Sequence, residues 1–503
     1  MPPQKAYEEL VSLTKEAATL EAVSSLLGWD QRTYMPRDAN ETRANQLSLI
    51  AGIYHKRITD PCIGELLAEL EQSELAKGDT PESANIREIR DKYDKMTKLP
   101  QKLVEELSRV CSLAETEWQE ARKFRDWKRF QPWLEKVLDL TKQVAEALGY
   151  KGEPYDALLD QYEPGATAAE IVEVFKNLRG ELVELIGKIK DAPKRPDVTI
   201  VERAYNVELQ RIFGETVAAA QGFSFNAGRL DVTTHPFCTG MGPGDTRVTT
   251  RYNPNRLNDA LFGIMHEVGH ALYDMGLDKN YYGTPMGEFV SLGIHESQSR
   301  MWENQVGRSK QFWVYFFPQL QRVFRESLDG VKLDDFYAAV NDVRPSYIRV
   351  EADEATYNLH ILLRFELERA MIMGELKPAD IPGEWNKRFK NYFGIEVDHD
   401  SHGCLQDVHW SGGMIGYFPT YTLGNLYSAQ FFAKAKADMP NLTAQFERGD
   451  FSQLLHWLRE NIHKHGKRYR ARQLVQRVTG QPLSHKPLMT YLYTKYGEIY
   501  GIK

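Results

Sequence analysis

The stretch Leu261-Phe262-Gly263-Ile264-Met265-His266-Glu267-Val268-Gly269-His270-Ala271-Leu272-Tyr273 sets two histidines four residues apart, with a glutamate between them, inside an apolar run. Leu261, Ile264, Met265, Val268, Ala271, Leu272 and Met275 recur with the 3.6-residue period, which predicts a core helix. Residues four apart on a helix stand one above the other, so His266 and His270 can aim two imidazole nitrogens at one ion about 2.0–2.1 Å away. Glu267 is turned about a quarter turn further. It can act as general base on the water such an ion activates without itself being a ligand. A buried helix with two unpartnered histidines would be costly, and a metal relieves that cost. The pattern reads as a zinc hydrolase.

The chain around this motif has 503 residues, 26% of them charged, and a formal net charge of -7. That balance argues against nucleic acid or an anionic membrane as the main partner. The charges are interspersed without a basic block, as on an ordinary solvated surface. Cys62, Cys111, Cys238 and Cys404 are scattered without a CxxC pair, which reads as free thiols in a reducing compartment. Met1 to Glu21 mixes Lys5, Glu8, Glu9, Lys15, Glu16 and Glu21 into a helical pattern and lacks the apolar core of a signal peptide. No apolar run approaches the roughly 20 residues a membrane helix needs, so the expected location is cytoplasmic. With no Pro/Gly/Ser linker, low-complexity tract or repeat, residues 1–503 are expected to form a single catalytic body.

The periodicity predicts a mainly α fold. Expected helices are Tyr7 to Leu27, Thr42 to His55, Ile86 to Met96, Lys102 to Ala121, Phe130 to Leu148, Ala168 to Ile189 and Val207 to Gln221, then Ser291 to Val306, Lys310 to Ser327, Asp334 to Val340, Glu354 to Gly374, Pro382 to Phe393, Leu423 to Ala437, Phe451 to Ile462 and Lys486 to Tyr496. Between Phe223 and Tyr252 the period fades. Gly228 to His235 and Asp245 to Tyr252 carry β-branched clusters separated by a stretch that includes the loop Gly240-Met241-Gly242-Pro243-Gly244, and are expected to form a short antiparallel pair beside the histidine helix. Ile395 to Thr422, rich in Gly, His and aromatics without helical period, reads as a long functional loop.

A catalytic zinc usually has three protein ligands and one open position. The third candidate is Glu296, in Gly293-Ile294-His295-Glu296-Ser297-Gln298-Ser299-Arg300 at the start of a second helix. Spacing leaves two readings of Glu296 open: the missing ligand, or a solvent-facing partner of Arg300 at i+4.

The ordered series His235-Pro236-Phe237, Asp245-Thr246-Arg247-Val248-Thr249, His266 to His270, His295-Glu296-Ser297-Gln298, Ile348-Arg349-Val350-Glu351-Ala352-Asp353-Glu354 and Gly403-Cys404-Leu405-Gln406-Asp407-Val408-His409-Trp410 resembles the carboxypeptidase Taq family of zinc metallopeptidases, also called thermostable carboxypeptidase 1. The early Trp29-Asp30 and Met35-Pro36 extend the likeness over nearly the whole chain. The resemblance implies Glu296 as third ligand and a helical body with a long central groove. It also implies broad-specificity carboxypeptidase activity on peptides with a free C-terminus, and a homodimer. Zinc is the implied metal; a two-histidine, one-carboxylate site also binds Co2+ or another divalent ion, and availability decides occupancy.

A free α-carboxylate is best matched by an arginine fork, for which Arg349 is the first choice and Arg247 the second; the alternative for each is an internal salt bridge with Asp245, Glu351 or Asp353. His409 with Tyr417 or Tyr421 resembles the histidine-plus-tyrosine oxyanion donors of related helical zinc peptidases, and which tyrosine points inward stays open. The other reading of these tyrosines is plain loop packing. His235 and Asp353 are candidates for contact with substrate or with the ligands. The rival activities are an endo-acting zinc oligopeptidase and a dipeptidyl carboxypeptidase; a non-catalytic protein with a structural metal is disfavoured by Glu267 and by the absence of any nearby cysteine ligand.

Overall fold

His266, Glu267 and His270 lie on the helix Leu257–Asp274, whose Leu257, Leu261, Ile264, Met265, Val268 and Leu272 are buried as the period requires. The computed structural model describes residues 1–502 and is built mainly of helices. The helix Leu292–Arg300 packs against the histidine helix, and the helix Pro419–Asp438 packs against Leu292–Arg300 in turn. Two glycines permit this layering. A Cβ at Gly269 would lie 2.6 Å from the Ser299 Cα, and one at Gly424 would lie 2.5 Å from the Glu296 Cγ. Any side chain at either position would force the helices apart and move Glu296 with them.

The start of Leu292–Arg300 is fixed from both ends of its first turn. The Ser291 hydroxyl accepts from Ile294 N at 3.1 Å, and the buried Glu163 carboxylate accepts from Ser291 Oγ, Gly293 N and Tyr427 Oη at 3.0–3.1 Å. Beyond Arg300 the chain widens into a π-helical segment, Met301–Gly307, a conformation that collects at functional sites.

The sheet departs from the expected antiparallel pair. Strand β1 (Gly228–Val232) runs parallel to β3 (Thr246–Thr250), with Gly228 opposite Thr246 and Val232 opposite Thr250. An additional strand, β2 (Cys238–Gly240), pairs antiparallel with the other edge of β3, giving the order β1-β3-β2. The Gly/Pro loop closes a hairpin between β2 and β3, where Met241 N donates to Asp245 O at 2.8 Å. It therefore reverses the chain one strand later than the β-branched clusters suggest, and β1 is left to flank β3 in the parallel sense.

Helices also form where none was expected, at Pro61–Leu70, Pro154–Leu159, Leu442–Phe446 and Ala471–Thr479. The irregular segment predicted to reach Thr422 ends at Phe418, because Pro419 opens the next helix at its first position. The apolar core falls into a large cluster running from Val110 to Tyr500 and a smaller one joining Ala6 and Leu10 to Ile63, Leu66, Leu67, Leu70, Ile86 and Ile89. The four cysteines are free. Among the described residues no helix is long and apolar enough to cross a membrane.

Candidate active site

His266 and His270 project from one face of their helix toward Glu296 on the neighbouring helix. His266 Nε2 and His270 Nε2 lie 3.7 and 3.4 Å from Glu296 Oε2. Donors held at 2.0–2.2 Å around a tetrahedral ion stand roughly 3.3 Å apart. The three atoms therefore already have the spacing of a divalent metal's ligands, and their type, two imidazoles and one carboxylate, suits zinc and its neighbours in the transition series. Glu296 is 8% exposed. Its second oxygen accepts from Arg300 Nε at 2.7 Å, so the arginine pairing read as an alternative coexists with the approach to the histidines.

His266 and Glu296 are hydrogen-bonded from behind, whereas His270 is braced only by stacking, its Nδ1 being buried without a hydrogen-bond partner. His266 Nδ1 lies 2.9 Å from Glu303 Oε2, a carboxylate that also faces Arg300 at 3.3 Å and Arg308 at 3.5 Å. The His270 ring stacks on His295 at 4.4 Å and 14°, and His295 Nε2 lies 2.9 Å from Asp274 Oδ1. Burial works to raise the Glu296 carboxyl, but Arg300, His266 and His270 overrule it and hold it well below the usual range. Burial and the His295 beside it bring His270 down to about 4, which keeps it neutral and free to ligate. Burial pushes Glu267 up to about 7, with His266 opposing and Glu296 reinforcing the rise.

His266, Glu267, His270, His295 and Glu296 line a cleft of about 1060 Å³. Glu267, His270, Asp274, Tyr417 and Tyr421 share its wall, with Cys238 of β2 and the Gly240–Gly244 loop opposite the helix bundle. Tyr417 and Tyr421 pack edge to face at 5.3 Å. His409 sits behind them, 5.5 Å from the Tyr417 ring, with Nδ1 buried and unpaired. Burial lowers His409 to about 4.

Residues 9–496 match the carboxypeptidase Taq (M32) metallopeptidase family. The chain belongs to that family. Thermostable carboxypeptidase 1 of Thermus thermophilus is 48% identical over the full length of both chains, and carboxypeptidase 1 of Bacillus subtilis is 37% identical over 98% of this chain and 99% of its own. The crystal structure of an M32 carboxypeptidase from Deinococcus radiodurans R1 superposes with a TM-score of 0.96 at 42% identity, covering 99% of this chain and 100% of that one.

In this M32 chain the motifs before and after the histidine helix occupy different places. Arg349 is buried beneath the tyrosines, 5.2 Å from the Tyr421 ring, and is absent from the cleft wall. Its Nε and Nη2 donate to Asp407 Oδ1 at 3.0 and 2.9 Å and its Nη1 to Tyr357 Oη at 3.0 Å. Asp407 takes Arg364 on its other oxygen, which ties the Ile348–Glu354 and Gly403–Trp410 motifs into one buried network. Arg247 of β3 pairs with Asp245 at 2.8 Å and lies over the Trp29 ring at 4.2 Å. This stacking also gives the early Trp29 its place. His235 is exposed between β1 and β2. Asp353 accepts from Arg344 N, Ala355 N, Thr356 N and Thr356 Oγ1, closing the turn before the helix Tyr357–Ile372. Glu303 and Asp274 escaped the sequence reading, although each carried a helical signal: Glu303 lies seven residues after Glu296, and Asp274 four after His270.

Proposed function

We propose that this chain is a metal-dependent carboxypeptidase that removes single amino acids from the free C-termini of peptides with broad specificity. His266, His270 and Glu296 would hold the metal, zinc in our reading, with Co2+ as a functional substitute. The observation that carries the proposal is the convergence of these three donors beside Glu267 in the wall of the cleft. A divalent cation held there supplies Lewis-acid polarisation of the scissile carbonyl and makes water acidic enough to attack at neutral pH.

The chain's own groups do the rest. Glu267, lifted by burial toward neutrality, is matched to accept a proton from the attacking water and return it to the leaving amine. Glu303 and Arg300 orient His266 and Glu296. Tyr417 or Tyr421, with His409 behind, is the donor for the oxyanion as it develops. Arg349 has five N–H groups and uses three on Asp407 and Tyr357; the other two would meet a terminal carboxylate once the tyrosines that cover it move aside, and on that condition we assign it before Arg247. His235 would meet substrate only at the outer edge. The four free cysteines agree with a reducing cytoplasm, and a homodimer is the assembly we propose, to be measured by light scattering.

Glu267→Gln is expected to lower kcat by at least 10²-fold while leaving metal stoichiometry unchanged. Appreciable turnover in a folded, metal-loaded variant removes the base assignment. Mass analysis of an N-blocked peptide should show stepwise loss of single C-terminal residues, lost on chelation and restored by Zn2+ or Co2+. Internal fragments or released dipeptides would replace this reading with an endo-acting or dipeptidyl activity.

A further inference from the structure

Among the described residues two groups of three His, Cys, Asp or Glu bring their ligand atoms within 4.8 Å of one another. One is the candidate catalytic set. The other, Asp398, His399 and His402, lies in the irregular segment that leads into Gly403–Trp410. We propose that Asp398, His399 and His402 form a second binding site for a divalent transition-metal ion, separate from the catalytic one.

The turn that assembles these residues is built by backbone bonds: His402 N donates to His399 O at 2.9 Å, and Gly403 N and Leu405 N donate to Asp400 O at 3.0 and 2.9 Å. It folds both rings over one carboxylate. Asp398 Oδ1 lies 2.8 Å from His402 Nδ1, and Asp398 Oδ2 lies 3.7 Å from His399 Nε2. The first is a hydrogen bond whose place a metal would take, and the second is near the roughly 3.3 Å separation of donors around a tetrahedral ion. The rings are braced, since His402 stacks on Tyr347 at 5.0 Å and 8° and packs tilted against His399 at 4.0 Å and 31°. His399 makes no side-chain hydrogen bond: Nδ1 is buried without a partner, and Nε2 stands beyond hydrogen-bond reach of Asp398. A metal would give Nε2, the nitrogen facing Asp398, the partner it lacks.

Two imidazoles and a carboxylate select zinc, cobalt or nickel over calcium or magnesium, which take oxygen ligands. Both rings face a cavity of about 590 Å³ walled by Trp118, Arg122, Lys123 and Arg125. Those cations oppose a bare metal ion and favour one whose remaining position is filled by an anion such as phosphate or a carboxylate. The site is coupled to the catalytic side of the segment, because Gln406 Nε2 donates to His402 O at 3.1 Å while its Oε1 accepts from Arg349 N at 2.9 Å. Occupancy would pin the outer face of the segment whose inner face carries His409.

Equilibrium dialysis of the full chain against micromolar Zn2+ in phosphate buffer, followed by elemental analysis, tests this. His399→Ala/His402→Ala is expected to bind one Zn2+ fewer than the wild type, and Asp398→Asn, which keeps both rings, should lose the same equivalent. His270→Ala reports the catalytic site independently: its own lost equivalent must be additive with that of the double variant. If the double variant and Asp398→Asn bind as much Zn2+ as the wild type, the second site does not exist, whatever His270→Ala does.

Discussion

Replacing Glu303 with glutamine tests whether the metal centre depends on its buried partners as the geometry requires. Glu303 Oε2 stands 2.9 Å from His266 Nδ1 and holds that ring with Nε2 turned toward Glu296. Burial works to raise the Glu303 carboxyl, but Arg300 and His266 bring it to about 2, so it is ionised at any pH where metal binds. Glutamine retains an oxygen that can accept from Nδ1 but loses the charge, and a charge-assisted hydrogen bond is about twice as strong as a neutral one. Removing such a supporting group typically weakens metal binding 10- to 100-fold, about 1.4–2.8 kcal/mol. Because the acceptor is kept, we place Glu303→Gln near tenfold. Glu303→Ala should approach 100-fold but would also strip Arg300 and Arg308 of their shared carboxylate, a loss of about 3–5 kcal/mol in stability. That is a large part of a normal 5–15 kcal/mol, so the glutamine variant is the informative one. Competition against a chromophoric chelator, with the unfolding midpoint measured on the same samples, gives the affinity. A Glu303→Gln protein that holds Zn2+ within twofold of the wild type would show that His266 needs no orienting partner and would refute the reasoning.

Arg349→Ala should raise KM at least tenfold for peptides with a free C-terminus, the worth of a hydrogen bond to a charged group, and leave amidated peptides unchanged; equal loss on both would assign Arg349 to bracing Asp407 alone. Of Tyr417→Phe and Tyr421→Phe, the variant that loses the oxyanion donor should lose about 10²–10³ in kcat with metal retained, and a double variant at wild-type kcat would leave both rings as packing. Glu368 accepts from Tyr155 Oη, Trp410 Nε1 and Gly416 N, and burial raises it to about 7 against an unfolded value of 4.5. Because the folded state binds this proton more tightly, the stability it lends is complete below about pH 4.5 and is lost as pH climbs through about 7. Between pH 5 and pH 8 the wild type should therefore lose up to roughly 3 kcal/mol relative to Glu368→Gln, read from denaturant unfolding, whereas parallel pH profiles would show that Glu368 is charged when buried.

How much of this could be read from the chain depends on whether a feature is local. His266, Glu267 and His270 declare themselves within five residues because a helix converts sequence spacing directly into a shared face. Helices with an apolar stripe, such as Val207–Gln221, are legible to the residue. The helix Pro419–Asp438 is harder to delimit because it is buried on nearly every side and so has no stripe. The sheet was legible as a location and as two of its strands, but its topology was not: β-branched clusters mark strands without saying which edge of β3 each will meet, and the three-residue β2 is too short to show a pattern.

The site shows the same division more sharply. Spacing alone left Glu296 open between solvent and metal, and what brings it to the histidines lies elsewhere in the chain, at Gly269 and Gly424, where the missing side chains let two helices close on it. Nothing at Glu296 itself encodes that approach. Conversely, the Arg300 pairing that made Glu296 look like an ordinary surface residue belongs to the proposed centre, because Arg300 bridges Glu296 and Glu303 and offsets the negative charge of both carboxylates. A local salt bridge and a non-local approach to two histidines are met by the same carboxylate, one oxygen each, so the two readings of Glu296 are compatible.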